Sequence, residues 1–149
     1  QARYYAPVKG LGDFFDRQFG DEDNPAIFAA RLRAGFSSGD VPTASLYSIG
    51  GSSTLRGYDS GYYLGSEMLL ANFELRIPVE KAFSFVLFYD MGNAWKNPWD
   101  TNGGSFSFSD LHDSWGVGVR VKTPLGNFRL DHATGDEESM THFSLGEMF

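Results

Sequence analysis

Charged side chains recur at alternate positions within segments that are otherwise apolar, and their spacing suggests ion-pair chemistry. They are Arg31, Arg33, Glu74, Arg76, Arg120, Lys122, Arg129 and Asp131. Because side chains on a strand point to opposite faces with period two, every one of these residues falls on the same side of its strand. Side chains on such a face could line a passage, or their opposite charges could pair with each other in a narrow interior. Eight strands leave an interior just wide enough for side chains, which favours mutual neutralisation.

Residue types used in catalysis and metal binding are present without a catalytic arrangement. His112, His132 and His142 have no ligand spacing, and the chain has no cysteine. The acidic runs at 21–23 and 136–138 are typical of solvated loop charge. No phosphate-binding loop or serine-nucleophile motif occurs, and no carboxylate pair accompanies a nucleophile or base. We therefore expect no enzymatic activity, no cofactor and no metal site.

Length and composition favour a single β-rich domain covering residues 1–149. The chain has 18 glycines and 16% aromatic residues, which suits strands and tight turns. Its net charge of −7 makes nucleic acid an improbable partner. No apolar run approaches the roughly 20 residues that a spanning helix needs. The N-terminus shows no signal peptide, so Gln1 is either the start of a processed form or the start of a fragment.

Seven segments alternate apolar and polar residues. They are 3–8, 27–36, 68–77, 83–95, 113–123, 127–133 and 141–149. In each, large apolar side chains share one face while glycines, small residues and charges share the other. Most reach the about 9–11 residues with which a tilted strand crosses a bilayer. This pattern indicates an antiparallel transmembrane β-barrel whose outer face meets lipid. A soluble lipocalin-type barrel, with apolar side chains inside, is a weaker alternative.

The connections alternate between short turns, at 78–81 and 124–126, and long loops, at 37–65, 96–112 and 135–140. Outer-membrane barrels have short periplasmic turns and long external loops, so this alternation predicts a periplasmic C-terminus. Residues 10–24 could form a short helix or an eighth strand. Because bacterial single-chain barrels have even strand numbers from eight upwards, we favour eight strands over seven, or else a piece of a larger barrel.

Five stretches together resemble the C-terminal half of the barrel in the BamA/TamA outer-membrane assembly superfamily, the bacterial surface antigen family. They are IGGSSTLRGY at 49–58, NFELRIP at 72–78, FYDMGNAW at 88–95, the strand–turn–strand at 116–131, and FSLGEMF at 143–149. The resemblance covers residues 26–149, and residues 1–25 are the least certain. The family usually has sixteen strands and periplasmic POTRA domains, which this sequence lacks.

The resemblance implies a set of site residues. It predicts that the long loop folds into the lumen and that its Arg56 meets Asp90, which strand parity independently places on the inner face. The loop motif consists of Gly50, Gly51, Leu55, Arg56, Gly57 and Tyr58. A closing strand would carry Phe143, Leu145 and Phe149 on its outer face and Gly146 on its inner face.

The functional expectation is a barrel in the bacterial outer membrane that assists assembly of outer-membrane proteins or membrane biogenesis. Its partners would be outer-membrane lipid and unfolded outer-membrane proteins. The alternative is a small structural or scaffold barrel without insertase activity, which could close by itself, form a homodimer or be part of a larger barrel completed by another chain.

Overall fold

The computed structural model describes residues 1–8, 25–39, 41–99, 104–136, 138–146 and 148–149. Its nine strands are β1 (Ala2–Pro7), β2 (Ile27–Phe36), β3 (Tyr47–Ile49), β4 (Tyr63–Gly65), β5 (Glu67–Glu80), β6 (Phe83–Trp95), β7 (His112–Thr123), β8 (Gly126–Thr134) and β9 (Ser139–Leu145). Within the described ranges, no helix has the length and apolar character needed to cross a membrane.

Seven strands form one antiparallel sheet in the order β1-β2-β5-β6-β7-β8-β9, and β3 pairs with β4 in a separate hairpin. Turns at Lys81–Ala82 and Pro124–Leu125 join neighbouring strands at one end, which we call the turn end. At the other, the loop end, long connections link β2 to β5 and β6 to β7, and the four residues 135–138 link β8 to β9. The β5–β6 pairing slips once, between Pro78 and Glu80, since proline cannot donate to the ladder.

The two faces of the sheet differ in polarity as the alternation predicts. Outer-face side chains such as Leu87, Val117 and Leu130 are about half exposed. Inner-face carboxylates such as Glu74 and Asp131 are buried. A sheet with an exposed apolar face and a buried charged face is inverted relative to a soluble sandwich and suits a bilayer outside. The lipocalin-type alternative is therefore wrong.

The all-β antiparallel prediction is confirmed, and each of the seven predicted segments contributes a strand to the main sheet. Pattern reading missed the β3–β4 hairpin, whose two strands have only three residues each and so carry no measurable alternation. The segment 10–24, for which an eighth strand or a helix was predicted, falls in the undescribed range 9–24. Among the described residues β1 and β9 each have one unpaired edge, so the sheet is open.

The prediction for the closing strand is wrong at its end. Phe143 and Leu145 point outward, but β9 stops at Leu145 and Gly146 adopts a φ of +91°. That left-handed conformation interrupts the alternation, so parity no longer holds beyond it. Phe149 is instead only 6% exposed and packs with Ala29 on the inner face.

Two arginines hold Phe149 in this inward position. The guanidinium carbons of Arg31 and Arg76 lie 4.9 and 5.3 Å from the centre of its ring. Arg76 also donates to the backbone oxygen of Phe149 at 3.0 Å. Cationic groups over an aromatic face are attracted by the ring quadrupole, which explains why the terminal ring turns away from the apolar side.

Replacing Phe149 with leucine should lower the free energy of unfolding by about 1 kcal/mol, since both cation–π contacts are lost while most apolar volume remains. Urea unfolding of the folded protein in detergent measures this. Phe143→Leu, on the outer face of β9, is the matched control and should leave stability unchanged. Equal losses in both variants would show that the inward contacts of Phe149 contribute nothing specific.

Candidate functional site

The loop between β3 and β4 lies against the inner face of the sheet, and glycine permits its path at two points. Gly50 has a φ of +122°, and a Cβ there would come within 2.1 Å of the Asp59 carbonyl oxygen. Gly57 has a φ of +89°, and its Cβ would lie 2.9 Å from the backbone nitrogen of Gly135. Neither the dihedral nor the space suits a larger residue. The chain therefore turns tightly on both sides of Arg56.

Arg56 is fully buried and contacts three carboxylates. Its Nε and Nη2 donate to the two oxygens of Asp90 at 2.7 and 2.8 Å, in a bidentate pair. Its Nη1 lies 2.8 Å from Glu74 Oε1 and 3.4 Å from Asp131 Oδ2. The guanidinium carbon also sits 3.5 Å from the centre of the Phe88 ring. This planar, forked geometry is available to arginine and not to lysine.

A second set of arginines neutralises the carboxylates that Arg56 shares. The contacts are Arg120 with Asp131 at 2.5 Å and with Glu74 at 3.4 Å, Arg76 with Glu74 at 2.8 Å, and Arg129 with Asp131 at 3.1 Å. Asp90 has no such second arginine among the described residues and relies on Arg56 and on Asn72, whose Nδ2 donates at 2.8 Å. Removal of Arg56 would therefore leave Asp90 as the carboxylate with the least compensation.

Three consecutive carbonyl groups of the loop accept hydrogen bonds from the sheet. The pairs are Ser52 with Arg129, Ser53 with Arg31 at 2.8 Å, and Thr54 with Asn72 at 2.6 Å. Within the loop, Thr54 Oγ1 donates to the Gly50 carbonyl at 2.7 Å and accepts from its N–H at 2.9 Å. The loop backbone is thus bound along its length, which satisfies polar groups that would otherwise be buried without partners.

Apolar contacts complete the docking. Leu55 is fully buried with Ile49 and Leu70, and Met68 and Tyr58 join the same cluster. Leu70 and Met68 are inner-face residues of β5 near the loop end. The charged contacts therefore lie deeper along the sheet, and the apolar cluster closes the site towards the loop end.

Tyr58 joins the docked loop to the β8–β9 connection. Its hydroxyl lies 2.8 Å from Asp136 Oδ2 and 3.0 Å from the Asp113 carbonyl, and His112 Nδ1 lies 3.0 Å from the same Asp136 oxygen. Hydrogen bonds from His112 and then Tyr58 hold the pKa of Asp136 below its ordinary value. Burial raises the pKa of Tyr58 to about 12, so this hydroxyl stays protonated and remains a donor.

The lowered pKa of Asp136 predicts a weak acid sensitivity of this contact. A carboxyl whose pKa is lower in the folded state stabilises that state above its unfolded pKa of 3.8, and the contribution is lost as pH falls through the folded value. Because Asp136 is half exposed, we expect less than about 1 kcal/mol. Proteolysis of the loop at pH 7 should be faster in Asp136→Asn than in the wild type. The difference should shrink as the pH is lowered from 7 through 3.8 and further, and a difference that is independent of pH would contradict the assignment.

The structure brings most of the predicted site residues together. Gly50, Gly51, Leu55, Arg56, Gly57 and Tyr58 all lie in the docked loop, and Arg56 meets Asp90. Phe143 and Leu145 lie apart from it on the outer face. Sequence reasoning placed Glu74 and Asp131 on the inner face but did not assign them to Arg56, and it missed Asn72 and Asp136. The same strand parity that selected Asp90 also selects Asn72, whereas no local pattern identifies Asp136.

An open antiparallel sheet with an apolar outer face, a charged inner face and a loop bound inside has the architecture of a transmembrane β-barrel protein. The whole chain, residues 1–149, matches the Omp85 superfamily domain. The chain belongs to the Omp85 superfamily. The recognition of the BamA/TamA assembly superfamily from its motifs is thereby confirmed.

Relatives and solved structures agree with this membership. The chain is 33% identical over 130 residues to outer envelope protein 80, chloroplastic, of Arabidopsis thaliana, covering 82% of this chain and 17% of that protein. It is 32% identical over 121 residues to outer envelope protein 39, chloroplastic, of the same plant, covering 73% and 31%. The crystal structure of BamA from Haemophilus ducreyi lacking POTRA domains 1–3 superposes with a TM-score of 0.69 at 19% identity, covering 96% of this chain and 32% of that one.

These proteins are longer than this chain, which spans 17% to 32% of their lengths. The likeness to BamA shows the fold. The relatives are outer-envelope proteins, so the family supports an outer-membrane location.

Proposed function

We propose that this chain assists the assembly of other outer-membrane proteins by presenting the free edge of β9 to an incoming strand. An unpaired strand edge carries a row of free N–H and C=O groups and templates β-augmentation. β9 is such an edge among the described strands, and the backbone beyond Leu145 turns inward at Gly146.

The observation that carries this proposal is the shortening of the strands towards β9. From β5 to β9 the strands have 14, 13, 12, 9 and 7 residues. A tilted strand needs about 9–11 residues to cross a bilayer, so β9 falls short. The apolar outer face beside the β9 edge is therefore narrower than it is at β5, β6 and β7. Such a mismatch thins the adjoining bilayer, which lowers the barrier for a strand to enter there.

The docked loop supports this proposal by keeping the inner face rigid while the edge exchanges partners.

In this arrangement the turn end faces the periplasm, where unfolded outer-membrane proteins arrive, and the long loops face outward. Protease added outside intact cells should then cut the β6–β7 loop and leave the turns at Lys81 and Leu125 intact.

The test is the folding rate of a client barrel in liposomes with and without this protein. We expect a faster rate, and we expect a cysteine on the client's terminal strand to cross-link to Phe143→Cys on β9. Because the chain has no native cysteine, the introduced thiol is unique. Val117→Cys is the matched control, since it lies on the same outer face of β7 with paired strands on both sides. No acceleration at any ratio, or equal cross-linking at both positions, would contradict the proposal.

A second candidate is a structural barrel completed by another copy or a companion chain. It is favoured by the two edges of the seven-stranded sheet, at β1 and β9, which have no partner strand among the described residues. In the variant carrying Tyr4→Cys on β1 and Phe143→Cys on β9, an intermolecular disulfide would indicate a shared barrel, and an intramolecular one would indicate closure within the chain. A shared barrel without client acceleration would favour this second role.

A further inference from the structure

The outer face of the sheet contains a groove that the docking of the loop does not explain. The groove has a volume of about 540 Å³ and crosses the sheet from β5 to β9. The strand register arranges its lining in two adjacent rows. One row contains Ile77, Phe85 and Val119, and the other contains Val117, His132 and Thr141. Its volume is within the about 300–1,000 Å³ of small-molecule sites.

A polar pair interrupts this apolar lining at the β8–β9 side. His132 Nδ1 lies 2.9 Å from Thr141 Oγ1, and both side chains are exposed on the outer face. Polar groups that face hydrocarbon are costly unless they are satisfied. The pair satisfies one ring nitrogen of His132, while Nε2 has no hydrogen-bond partner within the described part of the chain. We infer that an oxygen atom of a ligand is the partner of this nitrogen.

The pair lies close to the membrane–water interface. His132 is two residues from the loop end of β8, about 7 Å along the strand. The next outward pair along the ladder is Trp115 with Thr134, and Trp115 is 60% exposed. Exposed tryptophans of a barrel collect at the level of the lipid head groups. His132 is therefore at the depth where ester and phosphate oxygens of a lipid are found.

We propose that this groove is a binding site for a single membrane glycerolipid. One acyl chain lies along the groove towards Ile77, and His132 Nε2–H donates to an ester or phosphate oxygen while Thr141 donates to Nδ1. The occupant is a lipid, and not a protein strand, because side chains on the outer face of the sheet form the groove and present mostly apolar surface rather than a row of free N–H and C=O groups. The proposal rests on the bilayer position of the outer face and not on insertase activity.

The direction of the groove gives the bound lipid an unusual orientation. The two rows run across the strands, and barrel strands tilt about 35–45° from the membrane normal. An acyl chain that follows the groove therefore lies roughly 50° from that normal. A lipid held obliquely beside the short strands β8 and β9 would keep the bilayer thin there. Lipid bound at this site would therefore add to the bilayer thinning proposed at the β9 edge.

Native mass spectrometry of the full chain, purified from membranes in mild detergent, tests the site. We expect one retained glycerolipid per chain in the wild type, and rebinding when delipidated protein is titrated with phosphatidylglycerol. The double variant Val117→Phe with Val119→Phe fills the groove and should reduce the bound fraction at least fivefold. Leu145→Phe, on the same outer face but outside the groove, should bind as the wild type does.

A second variant tests the contribution of the polar pair to lipid binding separately from that of the apolar groove. His132→Leu should weaken phosphatidylglycerol binding severalfold while leaving the heat-modifiable gel shift, which reports folding, unchanged. Wild-type protein that neither retains nor rebinds lipid would overturn the site. Equal lipid binding by the Val117→Phe, Val119→Phe double variant would also overturn the site. A protein dimer that is seen in the wild type and lost in this double variant would show that a second copy, and not a lipid, occupies the groove. Unchanged binding by His132→Leu would overturn the assigned contact. Lipid binding and client folding are measured separately, so failure of either is distinguishable.

Discussion

Replacing Arg56 with alanine is expected to lower the free energy of unfolding by about 3–5 kcal/mol and to release the loop from the inner face. Breaking a buried ion pair from one side leaves an uncompensated charge, which costs more than the pair itself contributes. Here that charge is Asp90, because Glu74 and Asp131 keep other arginines. Urea unfolding in detergent measures the stability, and limited proteolysis between residues 50 and 62 measures loop release.

Two further variants identify the cause of the loss. Adding Asp90→Asn to Arg56→Ala should recover part of the stability, since the double variant no longer buries an unpaired carboxylate. Lys96→Ala removes an exposed ion pair with Glu67 and should cost less than about 1 kcal/mol. If the double variant were less stable than Arg56→Ala by the full cost of Asp90→Asn alone, the two residues would be uncoupled and the pair would not anchor the loop.

Replacing Gly57 with alanine is expected to cost about 2–4 kcal/mol and to loosen the same loop. The left-handed conformation costs a residue with a Cβ about 1–2 kcal/mol. The added methyl would also lie 2.9 Å from the Gly135 nitrogen and 3.2 Å from Ser114 Cβ, so overpacking contributes a similar amount. The unfolding free energy and the rate of loop proteolysis are the measurements.

Gly39 offers a control that separates strain from crowding. Its φ is +88°, nearly that of Gly57, but nothing lies within 4 Å of its Cβ position. Gly39→Ala should therefore show the conformational cost alone and should not release the inner loop. Equal losses at the two positions would mean that close packing against Gly135 has no energetic consequence, contrary to the docking described above.

The proposed function links these effects to activity. If the inner face must be rigid while β9 exchanges partners, Arg56→Ala and Gly57→Ala should slow client folding even under conditions where both variants remain folded. The heat-modifiable gel shift establishes that they are folded before the client rate is compared.

For the seven strands of the main sheet, the sequence pattern was enough to locate each strand and to assign its two faces. Alternation at period two placed Asp90, Glu74 and Asp131 on one face and Leu87, Val117 and Leu130 on the other, because a regular strand leaves no other choice. The alternation and the motifs together identified the barrel and its family. These are local properties, and they hold as long as the backbone stays extended.

Only the tertiary structure decided where the regular pattern ends and which charges besides Asp90 meet Arg56. Phe149 turns inward because Gly146 leaves the extended conformation and two arginines attract the ring. Arg56 reaches three carboxylates from three different strands, and the register that aligns those strands depends on long-range pairing. Asp136 joins Tyr58 across 78 positions of sequence. Contacts of this kind carry no local signal, since they depend on how distant segments pack and not on the spacing within any one of them.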